Sequence, residues 1–127
     1  MKATDLRLGN LALNSSNETV IVLEISKTLV KTTPDNIHLI SELKPIPLTE
    51  EILVKCGFVI AEGVFGIYYK HNEKEAFRIW EEYGVWYVGK KDYGNGLTFC
   101  IKEHLKHLHQ LQNLYFALVG EELEINL

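Results

Sequence analysis

Short stretches of alternating apolar and polar residues fill the first third of the chain and predict β-strands. The β-branched segment Thr19–Ile25 follows a polar cluster at 14–17, and a second apolar stretch at 29–33 ends in the turn-forming residues 34–36. Residues 37–43 supply a further strand. Four or five short strands joined by tight turns within about 45 residues predict a small curled sheet of the SH3-like β-barrel type.

Two prolines mark the one candidate boundary in the chain. Pro45 and Pro47 hold the backbone extended, which predicts a β-barrel-like unit over 1–46 and a second unit over 47–127. At 127 residues the chain is short enough for both to pack as one compact domain. Thr49 then has the position of a helix N-cap.

The second unit is predicted to contain an α-helix, four strands and a second helix. The first helix follows Thr49 and ends at Gly57. The strands form an antiparallel meander and cover residues 64–70, 76–82, 85–89 and 97–101. A helix over 73–83 is the alternative for the second of these strands, but the aromatic and β-branched residues there favour a strand.

A helical period is clearest near the C-terminal end of the chain. A helix over 102–119 gathers five apolar side chains on one arc: Leu108, Leu111, Tyr115, Leu118 and Val119. Gly120 has the position of a C-terminal cap. The predicted class is therefore α+β, with this amphipathic helix packed on an antiparallel sheet.

Composition and charge exclude several classes of protein. Apolar residues make up 46% of the chain, yet the N-terminal segment lacks the apolar core of a signal sequence, and no uncharged apolar stretch approaches the length of a membrane span. Cys56 and Cys100 lie in apolar patterns without metal-binding spacing, which indicates buried thiols in a reducing compartment. We expect a cytoplasmic protein that does not associate with membranes.

Basic residues do not form a dense stripe anywhere in the sequence. Residues 1–46 carry five basic and five acidic groups, and residues 47–127 carry eight and twelve, so the net charge of −4 comes from the second part. A strong, salt-dependent grip on nucleic acid phosphates is therefore not indicated.

Catalytic and metal-binding motifs are also absent from the sequence. No nucleophile elbow, phosphate-binding loop or HExxH motif occurs, and no cofactor is indicated. His104 and His107 are weak candidates for metal ligands, because on one helix they diverge by only about 60°, whereas His109 points away from His104. A core or surface role is the more common outcome for such histidines.

An aromatic sheet face is the most informative candidate site. Strand alternation places Arg78 and Trp80 on the face opposite Phe77 and Ile79, so this second face is expected to be partly exposed. Exposed aromatic rings beside a guanidinium are typical of protein-binding hot spots and of surfaces that stack bases. The predicted binding residues are Arg78, Trp80, Trp86 and Tyr87.

Three segments resemble one family of small uncharacterised proteins from bacteria and their phages or prophages. They are TDLRLGN near the beginning, PIPLTEEIL in the middle and LHQLQNLYFALVGEEL at residues 108–123. The resemblance implies a small accessory protein of a bacterium or phage, and it implies no activity. The Gln and Asn side chains of the third segment are expected to bond loop backbone where the helix meets the sheet.

The leading hypothesis is a non-enzymatic protein-interaction or accessory module with an unidentified protein partner. A nucleic-acid-binding module that uses the barrel or the aromatic sheet face is the alternative, and a small enzyme is less favoured. Homo-oligomers are also compatible with the sequence, since an exposed strand can pair with its own copy.

Overall fold

The computed structural model describes residues 1–34, 36–63, 66–71, 77–91 and 98–126. These residues form an α+β fold with two antiparallel sheets and two α-helices, which confirms the predicted class. Two compact units share the chain: Met1–Pro47 with His107–Glu122, and Leu48–Lys106 with Leu123–Leu127.

The first unit contains a four-stranded sheet in the order β1-β2-β3-β4. Its strands are β1 (Leu11–Leu13), β2 (Thr19–Ile25), β3 (Leu29–Thr32) and β4 (Asn36–Leu39). Short 3-10 helices at Ala3–Asp5 and Ile40–Glu42 flank the sheet. One face buries a compact aliphatic core made of Leu6, Ala12, Val20, Val22, Val30, Ile40 and Leu43.

This sheet is curled, but the strands do not close into the barrel that the sequence predicts. After β4 the chain returns to β1, where the backbones of Leu13 and Lys44 exchange two hydrogen bonds of 2.8 Å. That isolated bridge is the one backbone link between the two ends of the sheet among the described residues of this unit. Because β1 has only three residues, it offers little backbone for further pairing.

The second helix, α2 (Leu108–Val119), begins six residues later than predicted. Residues 102–105 instead extend a strand, and the backbone of the next residues pairs with the proline-rich segment. Leu48 N–H donates to Lys106 O at 3.0 Å, and Leu108 N–H donates to Ile46 O at 2.9 Å. These bonds hold the chain extended up to His107, so the helix cannot start earlier.

Helix α2 belongs to the first unit, whereas the sequence-based division assigned it to the second. It lies beside β1 and buries Leu108, Leu111 and Tyr115. Gly120 ends the helix with φ of +82°, and its N–H donates to Phe116 O at 2.8 Å, as the predicted cap requires. Leu118, expected on the buried arc, is 41% exposed.

A polar side chain of α2, Gln112, is buried where the helical pattern alone would place an apolar one. Gln112 is 4% exposed, and its side chain bonds the backbone that leads into β1. Its Oε1 accepts from Leu11 N–H at 2.9 Å, and its Nε2 donates to Gly9 O at 3.2 Å. The side chain therefore pairs two buried backbone groups that the sheet leaves open.

Asn113 extends the same contact toward the beginning of the chain. Its Oδ1 accepts from Asn10 Nδ2 at 2.8 Å and from Arg7 Nε at 3.3 Å, while its Nδ2 donates to Asp5 O at 3.2 Å. Asn10 is 1% exposed, and its own Oδ1 accepts from Arg7 N–H at 2.6 Å. The predicted role of these amides in bonding loop backbone is confirmed.

An ion pair completes this junction at the surface. The Arg7 guanidinium donates through both terminal nitrogens to the Glu122 carboxylate and lies 4.3 Å from the centre of the Phe116 ring. The hydrogen bond and charge of Arg7 lower the pKa of Glu122. We call the side chains of Arg7, Asn10, Gln112, Asn113 and Glu122 the polar junction.

The second unit pairs a short helix with a five-stranded meander. Helix α1 (Glu50–Lys55) starts as predicted, since Thr49 Oγ1 accepts from Ile52 N–H at 3.2 Å. The strands follow in the order of the chain: β5 (Phe58–Gly63), β6 (Gly66–His71), β7 (Phe77–Glu82), β8 (Val85–Lys91) and β9 (Thr98–Leu105). None of the described helices has the length and apolar character needed to span a lipid bilayer.

The sheet has one strand more than the four predicted. The additional strand is β5, which forms a hairpin with β6 in which Gly63 pairs with Gly66. The strand assignment for Phe77–Glu82, chosen over a helix, is confirmed.

The two thiols have different environments. Burial raises the pKa of Cys56 to about 12, which agrees with its predicted place in the core. Cys100 is exposed and not buried as predicted, because it lies opposite Gly89, which presents no side chain to cover it.

His109 makes the stability of the first unit depend on pH. Burial is the main cause that lowers its pKa below 6.5, and positive charge on His107 acts in the same direction, while Asp5 opposes both. The unfolded chain therefore binds this proton more readily than the folded chain, so stability is complete above pH 6.5 and declines as the pH falls below it.

We expect the variant His109→Phe to flatten this decline below pH 6.5, as measured by urea unfolding at a series of pH values. The wild-type protein, measured in parallel, is the reference for the slope. An unchanged slope in His109→Phe would assign the acid sensitivity to other groups.

Candidate functional site

Three of the four predicted binding residues lie on one face of the five-stranded sheet. Trp80 pairs directly with Tyr87 across β7 and β8, and Arg78 lies two residues before Trp80 on the same side. All three are partly buried, while Phe77 and Ile79 of β7 are buried on the other face. The predicted alternation of β7 is confirmed. With Tyr68 of β6, these residues form what we call the aromatic face.

The rings of the aromatic face pack against one another. Trp80 and Tyr87 stack with centroids 5.8 Å apart and planes inclined by 11°. The Arg78 guanidinium lies 4.3 Å from the centre of the Tyr68 ring, and the His104 ring is tilted against Tyr87 at 6.5 Å. Stacking of Trp80 on Tyr87 covers one face of each ring, so the pair offers a ligand less ring surface than two separate rings would.

Trp86, the fourth predicted residue, lies on the opposite face of the sheet. It is 7% exposed and packs against Tyr69, with ring centroids 5.9 Å apart. Trp86 is adjacent to Tyr87 in a strand, and adjacent strand residues point to opposite faces. The structure therefore removes Trp86 from the aromatic face and assigns it to the core of the second unit.

The candidate metal ligands do not lie on one helix as expected. His104 belongs to β9, and His107 is the N-cap of α2, where its ring stacks on His109 at 5.7 Å. Within the described ranges, no group of three or more His, Cys, Asp or Glu residues is arranged to hold a metal ion.

A second surface, on the four-stranded sheet, was not identified from the sequence. Five aliphatic side chains point away from the core and are between 40% and 70% exposed: Ile21, Leu23, Leu29, Ile37 and Leu39. Leu29 pairs with Leu39 across β3 and β4, and Ile37 is the most exposed of the set. We call this set the aliphatic face.

The signal for the aliphatic face is present in the sequence of β2. An amphipathic strand alternates apolar and polar residues, but the segment Val20 to Leu23 is apolar at four consecutive positions. Val20 and Val22 enter the core, and Ile21 and Leu23 remain outside. A strand that is apolar on both sides is typical of a sheet that is covered on both faces.

Comparison of the chain with protein-family models, curated proteins and solved structures finds no match. The resemblance to small bacterial and phage proteins therefore stays a prediction. Its first and third segments meet in the polar junction, where Arg7, Asn10, Gln112 and Asn113 bond one another or the adjacent backbone. Packing and hydrogen bonding explain these residues without a ligand.

The different positions of the two tryptophans predict different costs of truncation. Trp86→Ala should lower the free energy of unfolding by about 3–5 kcal/mol, because it removes a buried ring from the core. Trp80→Ala should cost about 1–2 kcal/mol, mainly the lost stacking on Tyr87. Urea denaturation followed by circular dichroism measures both. Equal costs would contradict the assignment of the two rings to opposite faces.

Proposed function

We propose that this chain is a non-enzymatic protein-interaction module that docks an extended segment of a protein partner on its aliphatic face. The observation that carries the proposal is the exposure of five large aliphatic side chains on one sheet face. Exposed apolar side chains grouped on one sheet face are costly in water and commonly mark an interaction site. Lys31, which pairs with Ile37, lies on the same face.

The position of β4 supports an extended partner segment. β4 is the last strand in the order of its sheet, and it carries Ile37 and Leu39, the two most exposed members of the aliphatic face. A segment that pairs with such an edge strand satisfies its backbone and lays alternate side chains over the adjacent face. The partner segment should therefore have apolar residues at alternate positions.

Nucleic acid binding through the aromatic face is the second candidate. Arg78, Trp80 and Tyr87 supply the residue types that stack and neutralise single strands. The ring geometry favours it less, because Trp80 and Tyr87 face each other and the Arg78 guanidinium lies over Tyr68. The net charge of −4 also weakens attraction to phosphates.

A cytoplasmic accessory role in a bacterium or phage belongs to the same proposal, on the basis of the sequence resemblance. An SH3-like arrangement of the strands of the first unit is also part of the proposal. The curled sheet and the Leu13–Lys44 bridge support it.

Selection from a displayed library of short random peptides tests this function without knowledge of the natural partner. We expect enriched peptides with apolar residues at alternate positions, whose binding is lost in Ile37→Lys and Leu39→Lys. Trp80→Ala is the matched control and should keep full binding. Circular dichroism verifies that each variant is folded.

Two results would contradict the proposal. One is the absence of enriched peptides, and the other is binding that survives Ile37→Lys but is lost in Trp80→Ala, which would transfer the interaction to the aromatic face. Saturable binding of labelled single-stranded DNA that falls steeply with salt would favour the second candidate.

A further inference from the structure

A cavity of about 270 Å³ opens at one end of the core side of the five-stranded sheet. Its lining residues come from the start of α1 and from three neighbouring strands: Leu48, Thr49, Glu50, Tyr69, Glu81 and Trp86. All six belong to the second unit, so the cavity shares no residue with the aliphatic face of the first unit.

Strand register explains why a carboxylate lines this cavity. Phe77, Ile79 and Glu81 occupy alternate positions of β7 and therefore share one face. The first two are buried in the core, while Glu81 continues the series where the core opens. It pairs directly with Trp86 on β8, and Tyr69 on β6 pairs with Ile79.

Two aromatic rings form rigid walls. Tyr69 and Trp86 are 9% and 7% exposed, and their ring planes are inclined by 55° at a centroid distance of 5.9 Å. Ring faces carry partial negative charge and attract cations within about 6 Å. Walls of this kind therefore favour a positively charged group.

The charges around the cavity have the same sign. Burial raises the pKa of the Tyr69 hydroxyl, and the charge and hydrogen bond of Glu50 and the charge of Glu81 raise it further. The carboxylates of Glu50 and Glu81 are therefore both close enough to the Tyr69 hydroxyl to influence its charge. In the described part of the chain, no lysine or arginine forms an ion pair with either of them.

We propose that this cavity binds a primary ammonium or guanidinium group, the chemistry of a lysine or arginine side chain. Glu50 and Glu81 would neutralise the charge, and the rings of Tyr69 and Trp86 would contact the cation and its apolar stem. The volume lies just below the range of about 300–1,000 Å³ typical of drug-sized ligands, which suits one side chain.

A wider open groove continues from the cavity along α1. It shares Thr49 and Glu50 with the cavity and adds Glu51, Val54 and Lys55. The groove leaves room for a polypeptide that carries the basic side chain, although a small free amine has the same binding chemistry.

Fluorescence of Trp86 provides a direct test. The chain has two tryptophans, so the variant Trp80→Phe leaves Trp86, in the wall of the cavity, as the only one. Nα-acetyl-lysine methylamide should change this fluorescence saturably, with a dissociation constant in the millimolar range that rises with salt. The uncharged norleucine analogue should cause no saturable change.

Removing the two carboxylate charges in the Trp80→Phe background tests whether Glu50 and Glu81 bind the cation. Glu50→Gln with Glu81→Gln should weaken binding about tenfold or more, which corresponds to about 1.4 kcal/mol. The sequence neighbour of Glu81 supplies the matched control, Glu82→Gln, which should bind as before. If the double variant does not fold, the single variant Glu81→Gln replaces it, and we expect it to weaken binding by a smaller factor.

A short peptide with one central lysine separates the two sources of the cation. Tighter binding of the peptide than of the lysine derivative indicates a polypeptide ligand, and equal binding indicates a small amine. The proposal is overturned if neither the lysine derivative nor its arginine counterpart gives a saturable signal, or if the signal is unaffected by loss of the carboxylates.

Discussion

Hydrogen bonds between the side chains of α2 and the backbone before β1 are the constraint on which the first unit depends. Gln112 pairs the N–H of Leu11 and the carbonyl of Gly9, and Asn113 bonds the carbonyl of Asp5. A buried backbone group without a partner costs about 1–3 kcal/mol, so these amides make a polar stretch of chain compatible with burial. They also specify which face of the helix lies on the sheet.

The residues of the polar junction stabilise the fold and are not free to bind a ligand. The most distinctive segments at the two ends of the chain are used to join the opening loop to α2, with Arg7 and Glu122 at the rim. The surfaces that stay open lie elsewhere: the aliphatic face of the first unit, and the aromatic face and the carboxylate-lined cavity of the second. These three surfaces are therefore the candidate binding sites of the protein.

Features that depend on neighbouring residues could be predicted from the sequence. Features that depend on pairing between distant segments could not. The N-cap Thr49, the cap Gly120 and the alternation of β7 depend on neighbouring residues and could be predicted. The late start of α2 could not, because backbone bonds to residues 46 and 48 hold residues 106–108 extended. Trp86 and Tyr87 are adjacent in β8 and therefore point to opposite faces, so the sequence pattern itself allowed only one of them on the aromatic face. The aliphatic face is marked in the sequence only by the four consecutive apolar residues from Val20 to Leu23.

A double-mutant cycle between Asn10 and Asn113 tests the polar junction most directly, since one 2.8 Å hydrogen bond joins their side chains. Urea unfolding of Asn10→Ala, Asn113→Ala and the double variant gives the coupling free energy. We expect the double variant to be about 1–2 kcal/mol more stable than the sum of the two single losses predicts. Additive losses, within about 0.5 kcal/mol, would contradict the claim that these side chains join the opening segment to α2.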